Sequence, residues 1–130
     1  SPTGEATVSR VPIPTPGPGE CLVKVLVAGV CNTDLELLKG YMGFSGIVGH
    51  EFVGRCESAP ETHRDRLLHR RVVGEINLAC RACAVCDGND ASRARNHCPR
   101  RTVLGILNKN GTYAEYLTLP AHNLRVVPDG

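Results

Sequence analysis

The chain has 130 residues, 42% of them hydrophobic and 22% charged, with a formal net charge of +2. That length suits one domain with a real core and is too short for two; the small charge gives no ground for a nucleic-acid or membrane partner, and no apolar run approaches the ~20 residues of a membrane span. Trp is absent and aromatics are 4%, so the core falls to Val, Leu, Ile and Ala, and 14 Gly with 9 Pro favour strands and turns over helix bundles.

In chain order, loose alternation over Ala6–Val11 predicts a strand, ended by the Pro/Gly-rich stretch from Pro12 to Gly19. Glu20–Val30, rich in Val and Leu and alternating at Leu22, Lys24 and Leu26, predicts a buried strand. Asn32-Thr33-Asp34 is N-cap material for a short helix running to about Lys39, with Gly40 as its stop. Two further strands are expected over Glu51–Ser58 and Arg71–Asn77. Residues 79–102 are rich in Cys, Arg, Asn, Asp and Gly and show no hydrophobic period, so they read as a loop whose shape must come from elsewhere. Thr112–Leu119 and Asn123–Val127 read as strands, and Val127–Gly130 as the start of a linker. Short strands around one such excursion predict a mainly β fold, a small barrel with short helices and a Cys-rich metal-binding lobe over residues 79–102.

Seven cysteines stand at Cys21, Cys31, Cys56, Cys80, Cys83, Cys86 and Cys98. An odd count argues against a closed disulfide framework, and C-x2-C-x2-C spacing argues for a metal in a reducing compartment, cytoplasmic or organellar. Two-residue spacers let Cys80, Cys83 and Cys86 turn toward one centre, and Cys98 can close the set as a structural zinc site. Adjacent His97 is an alternative fourth ligand, with the thiolate expected. Against this stand four free surface thiols, or a redox C-x-x-C, which would want a βαβ context.

A second constellation is Cys31 with His50 and Glu51. A catalytic zinc needs only three protein ligands and keeps a position open for substrate. Alone, Cys31 is more often a small buried hydrophobe and His50 more often a satisfied core histidine. Both, however, fall at expected strand ends, where side chains converge. Cys21 and Cys56 lie inside expected strands and read as packing. His63, His69 and His122 read as solvated, and Arg93, Arg95, Arg100 and Arg101 as a solvated basic face, since no aromatics interleave to stack on bases.

Gly29-Val30-Cys31-Asn32-Thr33-Asp34, Gly49-His50-Glu51-Phe52-Val53-Gly54 and Cys80-x2-Cys83-x2-Cys86 resemble three signatures of the zinc-dependent medium-chain dehydrogenases. The stretch from Pro14 to Val25 resembles that family's opening strand, and Gly111-Thr112-Tyr113-Ala114-Glu115-Tyr116 its strand after the metal lobe. The matches run in order from Val11 to Gly130, specific for the family and uninformative about substrate. The resemblance implies that residues 1–130 form a GroES-like catalytic domain of an alcohol dehydrogenase. A following Rossmann domain, outside this chain, would bind NAD or NADP. It also implies that Cys31 and His50 ligate a catalytic zinc, with Glu51 beside it and able to ligate transiently. Thr33 would relay the proton of a small alcohol or carbonyl substrate, and Asp34 would orient His50.

Several features depart from that pattern. The family's third catalytic ligand normally falls shortly beyond Gly130. No Gly-rich dinucleotide fingerprint follows any strand, so this stretch alone is expected to be inactive. The spacer from Cys86 to Cys98 is longer than the family usually shows. The family's first strand, expected before Glu5, is not evident, which would leave a sheet edge unpaired. The chain opens on Ser1 rather than Met, as expected of a processed or excised piece. Two other function classes compete: a free-standing zinc-stabilised β-barrel serving as a structural or interaction module, and a zinc-ribbon nucleic-acid binder. Chain beyond Gly130 separates the first from an enzyme, and salt-dependent oligonucleotide binding would mark the second. Homo-oligomerisation is left open.

Overall fold

The computed structural model describes residues 4–129. Residues 1–3 and Gly130, where the expected linker ends, lie outside the described residues. After an N-terminal stretch without helix or strand come β1 (Glu20–Gly29), α1 (Asn32–Leu38), β2 (Glu51–Ser58), α2 (Arg64–Leu67), β3 (Arg71–Gly74), β4 (Asn77–Leu78), α3 (Ala91–His97), β5 (Thr102–Leu104), β6 (Asn108–Lys109), β7 (Tyr116–Pro120) and β8 (Leu124–Val126). Five strands form one sheet in the order β7-β1-β2-β3-β8, and three form a second in the order β4-β5-β6. The architecture is mainly β with short helices, as expected.

The core is Cys21 and Val23 of β1, Phe52 and Cys56 of β2, Leu67, Val72, Leu78, Leu104, Leu117, Leu119, Ala121 and Leu124. Each strand sends alternate residues inward, so β2 buries Phe52, Gly54 and Cys56 and leaves Glu51 and Arg55 exposed. Cys21 and Cys56 are the packing residues expected, both fully buried. Contact with Cys56 and burial push the Cys21 thiol far up, so it stays neutral and behaves as a small hydrophobe.

Several expectations need correction. Ala6–Val11 is not a strand: nothing among the described residues pairs with it, and Val8, Val11 and Ile13 are exposed. A segment without a ladder partner has nowhere to place its backbone groups except water. The strand over Glu20–Val30 is buried only in its first half. Val25 pairs with Gly54 and Val27 with Val53, so Leu26 is an extra residue, and it and Val27 are exposed. The helix N-cap is Cys31, not a residue of the Asn32–Asp34 triplet. Arg71–Asn77 divides between the two sheets, with Glu75 and Ile76 carrying the chain across. The final strands begin later than expected, at Tyr116 and Leu124. Residues 79–102 are not all loop: Asp90 accepts the Arg93 N–H at 3.0 Å and caps α3. Among the described residues no helix is long and apolar enough to cross a membrane.

Candidate metal centres

Pairing of β1 with β2 sets Gly29 opposite Glu51. Cys31 lies two residues beyond Gly29 and His50 one residue before Glu51, so the register brings them together. One Cys31 sulfur, one His50 nitrogen and one Glu51 carboxylate oxygen all lie within 4.8 Å of one another. Cys31 is half-buried, His50 buried and Glu51 exposed, so the group opens to one side. Asp34 sits behind it, almost fully buried, and its Oδ2 accepts the Cys31 N–H at 2.9 Å. Its Oδ1 lies 3.4 Å from Nδ1 of His50. Neither of these two buried atoms makes a hydrogen bond, so the facing charge-pair contact is what each has to offset its burial. An imidazole held through Nδ1 turns its Nε2 outward as a ligand. Thiolate, imidazole and carboxylate are donors that zinc accepts, and the set fits that metal. The Thr33 hydroxyl lies 3.6 Å from the Cys31 sulfur, at a shallow recess shared with Asn32, Glu36 and Tyr41.

His50 is held in place from the far end of the chain. The N–H groups of Gly111, Thr112 and Tyr113 donate to the carbonyls of Ile47, Gly49 and Val48 at 2.7, 2.9 and 3.0 Å. Gly49 has φ +96°, a conformation side chains rarely adopt, and an added Cβ there would run into Thr112 and the Tyr113 ring. The Tyr113 hydroxyl reaches Oδ2 of Asp34 at 2.8 Å. Burial and the Asp34 carboxylate push its pKa up to about 12, so it remains a donor. The sequence reading placed Tyr113 only in a strand motif. It stands 79 residues from Asp34, and no local pattern reports such a contact.

The second group is Cys80, Cys83, Cys86 and Cys98, whose sulfurs all lie within 4.8 Å of one another. Sulfur–sulfur separations are 3.9 Å for Cys80–Cys86, 3.5 Å for Cys83–Cys86 and 3.9 Å for Cys83–Cys98. A tetrahedron with zinc–sulfur bonds of about 2.3 Å has edges of about 3.8 Å, whereas a disulfide would need about 2.05 Å. The four thiols therefore have the size of a tetrahedral thiolate site, and the set fits zinc. The Cys80 N–H donates to the Cys98 sulfur at 3.3 Å and holds that thiol down at about 6. Lost solvation and the Cys83 thiol push Cys86 up to about 11. His97 is exposed and outside the group. The longer spacer is taken up by α3, which returns the chain to Cys98.

Two contacts pin the lobe to the rest of the fold: Arg81 donates to Nδ1 of His122 at 2.9 Å, and Arg95 lies 4.0 Å from Glu75. Within the lobe, Arg100 donates to the Ala82 carbonyl at 2.6 Å. The basic face is thus only partly free. His122, exposed as expected, is lowered in pKa by lost solvation and by Arg81, and stays a neutral acceptor. His69 is exposed, and His63 is half-buried with its Nδ1 2.9 Å from the Thr62 hydroxyl.

A family model described as the alcohol dehydrogenase GroES-like domain matches residues 17–129. This chain belongs to that family. An L-threonine 3-dehydrogenase from Xanthomonas euvesicatoria is 35% identical, aligned over 94% of the chain and 36% of its own length. Among solved structures, a zinc-binding dehydrogenase from Sinorhizobium meliloti, bound to NADP, matches with a TM-score of 0.78 and 35% identity. That match covers 97% of this GroES-like chain and 36% of the other. An alcohol dehydrogenase from Thermus sp. matches with a TM-score of 0.81 and 33% identity, over 98% and 38%. The chain therefore spans little more than a third of the relatives it matches.

Proposed function

We propose that residues 1–130 are the metal-binding catalytic domain of an NAD(P)-dependent dehydrogenase. It would act with a Rossmann domain that follows Gly130, moving a hydride between a small alcohol and the nicotinamide. The observation that carries this reading is the half-open donor triad of Cys31, His50 and Glu51, backed at His50 by a buried carboxylate. A purely structural module has one use for a closed four-thiolate lobe and none for a second, open donor set. Zinc in the open set would supply Lewis-acid polarisation of the alcohol oxygen.

Cys31 and His50 are then the ligands, and Asp34 keeps the proton on Nδ1 of His50 so that Nε2 stays free. Thr33, 3.6 Å from the Cys31 sulfur, takes up the alcohol proton and passes it outward along the recess by Asn32 and Glu36. Glu51, exposed at the mouth, exchanges between the donor set and water. Cys80, Cys83, Cys86 and Cys98 hold a structural zinc in the lobe of residues 79–102. Hydride donor and acceptor must be held in near-attack geometry, a term worth roughly 7–11 kcal/mol, so residues 1–130 alone are expected to be inactive.

The names of the relatives make L-threonine the first substrate to try, followed by polyols and simple alcohols. The test is NAD(P)H formation by the protein carrying its nucleotide-binding domain. Turnover that Cys31→Ser abolishes supports the reading. In the same protein Thr33→Ala should lower kcat by about 10²–10⁴-fold with zinc content unchanged. No turnover with any of these alcohols, both metals being bound, contradicts it.

A further inference from the structure

Asp34 joins three separate stretches of chain. Oδ2 accepts the Cys31 N–H at 2.9 Å and the Tyr113 hydroxyl at 2.8 Å, while Oδ1 faces Nδ1 of His50 at 3.4 Å. The Tyr113 oxygen also lies 3.1 Å from the Gly29 carbonyl. A phenol has one proton to give, and a carboxylate is the stronger acceptor, so Asp34 receives it. The Tyr113 ring lies over Gly49, where an added Cβ would come within 2.7 and 2.8 Å of two ring carbons. One side chain therefore touches the stretch that ends at Cys31, the stretch that ends at His50, and the carboxylate between them.

We infer that Tyr113 is a positioning residue for the Cys31/His50 metal site: by engaging Oδ2 of Asp34 it leaves Oδ1 for His50 and so fixes which imidazole nitrogen carries the proton. The inference rests on the reading of Cys31 and His50 as metal ligands. A buried carboxylate with a single donor on Oδ2 can pivot about that bond. A second donor from the opposite side of the site stops the pivot, because both bonds cannot be kept in any other orientation. With Oδ1 fixed at Nδ1, the imidazole proton stays there and the Nε2 lone pair points outward. Phenylalanine at this position would keep the ring on Gly49 and remove only the donated proton.

The chain is loaded with one equivalent of zinc to fill the lobe, then titrated with Co²⁺. Its d–d absorption reports the second site, and Cys31→Ser serves as the blank. Tyr113→Phe is expected to weaken Co²⁺ binding about tenfold, the lower end of what outer partners of metal ligands deliver. Lobe zinc and far-UV circular dichroism should not change. In an Asp34→Ala background, where the carboxylate acceptor is gone, Tyr113→Phe should change Co²⁺ binding by less than about twofold, because the two residues act as one unit. Equal losses in both backgrounds, or no loss in the parent, overturn the inference. Cobalt absorption in the parent that Cys31→Ser leaves intact, or no such absorption at all, overturns the reading of the ligands and the inference with it. Cys31-dependent absorption that Tyr113→Phe leaves unchanged overturns the inference alone.

Discussion

Nδ1 of His50 lies 3.4 Å from Oδ1 of Asp34, and the two residues are 7% and 3% exposed. Neither atom makes a hydrogen bond, and each faces only the other. Buried polar groups in that position depend on each other, and a carboxylate behind an imidazole raises its basicity as a ligand. Asp34→Asn keeps the shape and removes the charge. The expected result is a loss of about 10–100-fold in metal affinity at the Cys31/His50 site, with the four-cysteine lobe unaffected. Metal titration of the variant checks this, and an unchanged affinity would leave Asp34 only as the acceptor for the Cys31 N–H and the Tyr113 hydroxyl.

Gly49 is where backbone geometry and site geometry meet. Its φ is +96°, and a Cβ would meet Thr112 and the Tyr113 ring. Gly49→Ala therefore combines a left-handed backbone, costing about 1–2 kcal/mol, with a clash against a segment fastened by three backbone hydrogen bonds. Urea unfolding should show a lower midpoint, and the Cys31/His50 site should bind metal more weakly because His50 is the next residue. A midpoint equal to the parent's would show that residues 111–113 yield freely.

Glu75 gives the fold a pH dependence of known sign. Its Oε1 accepts from the backbone N–H and side-chain amide of Asn77, both at 3.0 Å, and Arg95 lies 4.0 Å from Oε2. These contacts, the Asn77 N–H first, hold the carboxyl below its ordinary value of 4.5. A carboxyl lowered on folding stabilises the fold above its unfolded value, and that contribution is lost as pH falls through the folded one. Glu75→Gln should therefore lower Tm at neutral pH, and the gap to the parent should close well below pH 4.5. A gap of equal size at both pH values would assign the effect to shape rather than charge.

What the sequence made legible was local. Glu51–Ser58 alternates cleanly and is the strand expected, and the two-residue spacers of Cys80, Cys83 and Cys86 already describe a closed cluster. Helices without an apolar stripe went unread. α2 has four residues, and α3 buries only Ala94, so neither carries a period. The extra residue at Leu26 was invisible because it belongs to the pairing with β2, not to β1 itself. At the site, Cys31 and His50 could be singled out because each closes a strand end. Tyr113 could not, since what places it is a tertiary contact with a distant segment. By its own position Asp34 showed only capping character; its role toward His50 came from the family resemblance, and the contact itself needs the β1–β2 register.

Metal content is the most direct measurement. All four thiols of the lobe come from residues 80–98, and structural zinc sites of this kind are worth about 10–16 kcal/mol in small peptides near pH 7. The Cys31/His50 group offers two buried or half-buried donors and one exposed carboxylate, and water reaches it freely. After dialysis of the 130-residue chain against a mild chelator, about one tightly held zinc per chain is expected. Cys83→Ser should lower that value and loosen residues 79–102, and Cys31→Ser should change it little. Two tightly held zincs would contradict the open character of the Cys31/His50 site, and none would contradict the four-thiolate lobe.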